Sequence, residues 1–232
     1  MKKIITLLLL LCSASIFAES FTFPYSQIPF GKSMEEVLAM CEGSTIKEDE
    51  YGKMDFVSNY SLSLFSGATY SMWGMGCYLA SGISKVYKIT NPDWKNIEEI
   101  KLYFVSDFGK ENYTLMMVAK YQKRGEVDDR DTQYKTLRNS ITKSLNVNSY
   151  DFTETYNNIG FGRVSALCSK WVESGKTSFL FVEDMGIWSN SSLKGPLFVY
   201  VSNSQVNKYM SAQKLYEADR QKKKESQVTS EF

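Results

Sequence analysis

Histidine is absent from the 232 residues, and its absence limits the chemistry available. No Ser-His-Asp triad, Cys-His pair, two-histidine metalloprotease site or histidine metal ligand can be assembled. Carboxylate chemistry, a Ser-Lys dyad and a thiol remain. Acids gather at Glu126, Asp128, Asp129 and Asp131, but a glycosidase acid and base must face each other across a cleft, whereas these crowd one loop. Capping and the dipole of a following helix account for them. Gly31-Lys32-Ser33 has the ending of a phosphate loop. The full motif asks for glycine where Ser26 stands, and Pro29 occupies the turn that would wrap phosphate with N–H groups. Glu48, Asp49 and Glu50 lack the spacing and glycine of a calcium loop and read as a solvated turn. Lys222, Lys223 and Lys224 read as a solvated helix end. The pattern implies no catalytic residue, metal or cofactor.

Binding chemistry is better represented. Between Phe65 and Gly82, the residues Tyr70, Met72, Trp73, Met75 and Tyr78 interleave with Gly67, Gly74 and Gly76. Adaptable apolar side chains lie next to glycines where another backbone can approach closely, which suits an apolar ligand or a peptide strand. Core packing with bulges in a twisted sheet explains the same residues. A second aromatic group, Phe179, Phe181, Trp188, Phe198 and Tyr200, reads as core.

The elements that must position these residues begin with Ser33 and Glu36, a capping box that starts a helix at Met34. Met34, Val37, Leu38 and Cys41 form one apolar stripe, and Gly43 can close the helix with positive φ. So short a helix must lie on something. Ahead of it, 19–29 reads as an extended segment that could add an edge strand, and 44–53 as a polar loop. Period-two runs follow at 56–67 and 83–90, with another strand between them at 68–81 interrupted by Gly74 and Gly76, then a hairpin of 97–106 with 113–123, Ile100, Leu102 and Phe104 sharing one face. Asp131 offers an N-cap to a helix over 132–145 carrying Tyr134, Leu137, Ile141 and Leu145 inward. Residues 146–162 show no clean period and read as loop. Strands at 167–173, 177–183 and 196–202 precede a terminal helix from Val206 to about Lys224, with Val206, Tyr209, Met210 and Tyr216 inward. Strands that follow strands directly predict an α+β fold, mainly antiparallel sheet with a short N-terminal helix, a middle helix and a C-terminal helix packed on it.

Residues 1–18 have two lysines, an apolar run and small residues ending at Ala18, the layout of a secretory signal peptide cut after Ala18. The rest divides into a single domain over 19–216, readable also as two helix-plus-meander halves near 19–125 and 126–216, and a charged tail over 217–232. Without Lys2 and Lys3 the formal charge of +1 drops to about −1, which argues against a duplex nucleic-acid binder. No further run approaches membrane-spanning length. Cys41, Cys77 and Cys168 remain, and spacing does not choose among their pairings.

The opening Phe30-Gly31-Lys32-Ser33-Met34-Glu35-Glu36-Val37, closed at Gly43, resembles that of small exported bacterial proteins beginning F-G-x-S-x-E-E-V. It is distantly similar to the small lipoprotein of the outer-membrane barrel-assembly machinery. The resemblance implies a periplasmic α+β interaction module and carries no catalytic residues. The expectation is therefore an exported, periplasmic or secreted, non-enzymatic protein that binds a protein or envelope component through an exposed sheet edge or the Trp73 region. A carboxylate-dependent hydrolase of envelope glycan and a carrier of an apolar molecule are the alternatives.

Overall fold

The computed structural model describes residues 21–49, 53–54, 69–70, 77–80, 82–123, 130–158, 162–184 and 196–230. The capped helix forms as its residues dictate. In α1 (Met34–Ala39), Ser33 Oγ accepts the Glu36 N–H at 3.2 Å and Glu36 Oε2 accepts the Ser33 N–H at 3.0 Å. Gly43 takes φ +83° after the last turn. Six residues cannot hold a helix alone, and α1 is fixed by burial of Val37 and Cys41 and by main-chain pairing. Gly31 N–H donates to the Leu115 carbonyl at 3.0 Å, Leu115 N–H to the Lys32 carbonyl at 3.0 Å and Met34 N–H to the Tyr113 carbonyl at 3.0 Å. The Gly31 amide that a phosphate loop would aim at an anion is thus spent on a strand.

The chain builds one eight-stranded antiparallel sheet from β1 (Thr45–Glu48), β5 (Ser84–Thr90), β6 (Ile97–Val105), β7 (Thr114–Gln122), β8 (Tyr150–Asn158), β9 (Gly162–Glu173), β10 (Lys176–Asp184) and β11 (Leu197–Ser202). Their order is β1-β5-β6-β7-β11-β10-β9-β8. Four strands of the first half of the chain therefore meet four of the second along β7 and β11, with Ala119 opposite Val199. A small sheet, β2 (Lys53–Met54), β4 (Cys77–Tyr78) and β3 (Thr69–Tyr70), stands apart in the order β2-β4-β3.

Period two divides the residues between two faces. Ile100, Leu102, Phe104, Val118, Trp171, Leu180, Phe198 and Tyr200 form one core with α1, with α2 (Arg130–Leu145) and with the leading residues Phe23 and Ile28. Tyr103, Val105, Ala119, Cys168, Phe179, Val199 and Val201 form the other core with α3 (Asn203–Ser230), which contributes Val206, Tyr209 and Ala212. The pairing shifts between Tyr103–Met117 and Phe104–Leu115, so a bulge brings both Met116 and Met117 into the α3 core. The Tyr209 hydroxyl accepts the Ala80 N–H at 3.2 Å. A Cβ on Gly82 would stand 2.6 Å from the Tyr216 ring, so glycine there lets the helix close on the chain.

The α+β class, the three helices and the 97–122 hairpin match the sequence expectation. Five local readings need correction. The single strand expected over 68–81 is two short strands, β3 and β4, paired antiparallel with each other. The leading segment makes a 3₁₀ turn at Tyr25–Gln27, not an edge strand, and packs Phe21, Phe23 and Tyr25 against the core. Within the polar loop expected over 44–53, Thr45–Glu48 is the edge strand β1, whose four side chains are all exposed and so lack an apolar period. Within the loop expected over 146–162, Tyr150–Asn158 is β8. Asp131 lies inside α2 instead of capping it. The terminal helix runs on through Ser230, mostly exposed beyond Tyr216. The strand expected over 56–67 and the leader lie outside the described residues.

Replacing Ser33 by Ala removes one half of the capping box and is expected to lower stability by about 1 kcal/mol. Urea unfolding measures it, and a change within error would mean that strand pairing alone holds α1 in place.

Candidate functional site

The two outer strands of the sheet differ in kind. An unpaired strand edge invites pairing with another chain, and folded proteins guard against it with short strands, lysine, proline or a bulge. β1 is guarded: it has four exposed residues, Thr-Ile-Lys-Glu. β8 is Tyr-Asp-Phe-Thr-Glu-Thr-Tyr-Asn-Asn, nine residues with no lysine, proline or glycine. It pairs without a bulge from Tyr150–Lys170 to Asn158–Gly162 on β9, and among the described residues nothing pairs with its outer side. Nine extended residues present an edge of about 30 Å.

An apolar strip borders this edge on the α3 face. Tyr150 is 58% exposed and stacks on Phe152 with ring centroids 6.0 Å apart. Val172, on the neighbouring strand one diagonal step from Tyr150, is 56% exposed. Lys170, paired with Tyr150, lays its ammonium 5.8 Å from the Phe179 ring. An incoming strand would find both main-chain partners and an aromatic surface for alternate side chains.

On the opposite face α2 locks the edge in position. Arg138 forms a 2.6 Å ion pair with Asp151, and Ser169 Oγ donates to Asp151 at 2.6 Å. With the serine proton committed, Tyr134 supplies the proton in its contacts to Ser169 Oγ at 2.7 Å and the Cys168 carbonyl at 2.9 Å. Trp171 Nε1 donates to Thr142 Oγ1 at 3.0 Å. Burial pushes the Asp151 carboxyl up, but the hydrogen bonds from Arg138 and Ser169 overcome it and hold the group below its ordinary range. The first half of the sheet has a smaller version: Tyr87 on β5 donates to Glu48 on β1 at 3.3 Å, again across an edge pair.

Of the residues singled out from sequence, Tyr70 and Tyr78 lie in the small sheet, where Tyr70 pairs with Cys77 and Thr69 with Tyr78. Met72, Trp73 and Met75 lie outside the described residues, as do Glu126, Asp128 and Asp129. Other carboxylates act on the fold: Asp49 pairs with Lys101 at 3.4 Å, Glu99 with Lys88, and Asp107 accepts from Asn112 at 2.7 Å. Among the described residues no three of His, Cys, Asp and Glu come together as a metal site, and no helix is long and apolar enough to cross a membrane. Cys41 and Cys168 sit in cores on opposite faces of the sheet, so no disulfide joins them, and burial pushes the Cys41 thiol up to about 11.

Sequence reasoning missed the β8 edge. The signal was the period-two run Tyr150, Phe152, Tyr156, diluted by Asp151, Glu154 and Asn157. Compared with protein-family models, curated proteins and solved structures, the chain matches none.

Because the Asp151 carboxyl is held below its unfolded value of about 3.9, its stabilisation is complete above about pH 4 and lost as pH falls through the folded value. Urea unfolding of wild type and Asp151→Asn should therefore show a gap at pH 7 that narrows below about pH 4. A gap independent of pH would mean that the ionised carboxylate does not lock the strand.

Proposed function

We propose that the chain is an exported, non-enzymatic binding protein that captures an extended segment of an exported or envelope protein by adding it as a strand along β8. One observation carries this reading: a nine-residue edge free of lysine, proline and bulge and unpaired on its outer side among the described residues, set opposite a four-residue one in the same sheet. The open main-chain groups supply affinity in any register, while Tyr150, Phe152 and Val172 supply preference for apolar alternate positions in the partner. The locking of Asp151 by Arg138 fits this use, because a pre-ordered edge loses less entropy on binding than a floppy one. The exported compartment rests on the leader, and the resemblance of the Phe30–Val37 opening to exported proteins points the same way.

Photo-crosslinking in the envelope fraction tests the proposal. A benzophenone amino acid at Tyr150 or Val172 should capture a reproducible protein that one at Ile46 on β1 does not. Thr153→Pro should reduce capture at least tenfold while circular dichroism stays native. Equal capture from both edges would overturn the reading. So would loss of capture in Trp73→Ala with β8 variants unaffected, which would move the site to the glycine-aromatic stretch.

A further inference from the structure

Away from β8, on the α1 and α2 face, a lysine is buried with no counter-charge among the described residues. Lys120 lies mid-sheet on β7, paired with Ile100 on one side and Phe198 on the other, and is 8% exposed. Its ammonium stands 5.0 Å from the centre of the Tyr200 ring. Among the described residues no carboxylate pairs with it. The contrast lies one strand away: Lys101, 7% exposed on the other face of the same sheet, has Asp49 at 3.4 Å. Taking an ammonium out of water costs several kcal/mol unless a partner compensates, on the order of what a ring face cannot fully return.

Two hydroxyls are orphaned beside the same ring. Ser178 is directly opposite Tyr200 in the β10–β11 pairing and 1% exposed, and its Oγ has no hydrogen-bond partner among the described residues. Tyr25 brings its ring to 4.9 Å from that of Tyr200, and its buried hydroxyl is equally unpartnered. Lys176 rests on the outer ring, 5.6 Å from the centre of Tyr25. Tyr200 cannot be the missing anion, since burial holds its phenol far above the usual range. Burial likewise draws the Lys120 ammonium down to about 8, as expected of a cation with nothing opposite it.

We propose that the cluster of Lys120, Ser178 and Tyr25 around Tyr200 is a binding site for a small carboxylate, whose charge becomes the counter-ion of Lys120 and whose oxygens accept from the two hydroxyls. One buried ammonium matches a monoanion better than a phosphate dianion. The rings of Tyr25, Phe198 and Tyr200, with Phe198 and Tyr200 only 4.2 Å apart, favour a carboxylate on an aromatic or apolar body. Entry requires the leading segment to give way. That segment is already strained, since Phe23 holds φ +51° while fully buried. The site lies on the face opposite the strip beside β8, so it stands or falls independently of strand capture.

Calorimetric titration at fixed ionic strength tests it with benzoate as the probe, benzamide as its uncharged counterpart and inorganic phosphate as the competing anion. Benzoate should bind saturably, and benzamide and phosphate at least tenfold more weakly. Lys120→Met should abolish benzoate binding yet melt at or above wild type, because it removes an uncompensated charge. Ser178→Ala should weaken binding several-fold, and Lys110→Met, altered at a side chain 67% exposed, should not change it. Equal binding of benzoate and benzamide, or benzoate affinity retained within twofold in Lys120→Met, would overturn the proposal. Preference for phosphate would overturn the ligand class.

Discussion

The pairing of β7 with β11 is the constraint on which the rest of the molecule depends. Each is the last strand of its half of the sheet, and they meet antiparallel from Met117–Val201 to Tyr121–Leu197. Every residue from Leu115 to Tyr121 and from Leu197 to Ser202 is buried. A strand buried on both sides needs a layer over each face. On one side α3, which follows β11 without a loop, folds back across the strands that precede it. On the other, α1, α2 and the leading segment divide the surface among them. Beyond the last β7–β11 pair at Met117, the main chain of Leu115 pairs instead with Gly31 and Lys32, which fixes the entry to α1.

This arrangement also decides where the edges fall. With β7 and β11 in the middle, β1 and β8 are forced outward, the first short and charged, the second long and rich in β-forming residues. One acid on each edge is met by a hydroxyl from the neighbouring strand, Tyr87 for Glu48 and Ser169 for Asp151. Among the described residues, Asp151 has in addition an arginine from the helix above and Glu48 has none. A strand kept in register by such contacts, longer than β1 and free of lysine, proline and bulge, is organised for pairing in a way that β1 is not.

Much of this was legible in the residues. α1 could be read because its cap, stripe and closing glycine agree, each satisfying a local requirement that does not depend on distant parts of the chain. The β6–β7 hairpin could be read because Ile100, Leu102 and Phe104 share a face. What escaped notice were the edge strands. Thr45–Glu48 buries none of its side chains, so no alternation is imposed on it, and the aromatic alternation of β8 is interrupted by acids, among them Asp151, whose partners Arg138 and Ser169 come from other elements. Strand order was equally out of reach, because the β7–β11 contact joins segments far apart in the chain. The glycine-aromatic stretch drew attention for its residue types, while the cluster around Tyr200 did not, since a lysine alternating with apolar neighbours looks like an ordinary surface position.

Several buried polar atoms lack a partner among the described residues, Ser106 Oγ and Glu173 Oε2 included, but beside Tyr200 two such hydroxyls, of Tyr25 and Ser178, accompany an ammonium that no described carboxylate pairs, whereas Lys101 has its aspartate. Methionine at position 120 would fill similar space without the desolvation cost, and alanine at 178 would leave no orphaned oxygen. A sequence shaped by folding alone has easy access to both, so groups that weaken the fold and converge on one ring are better explained by something they bind than by the needs of packing.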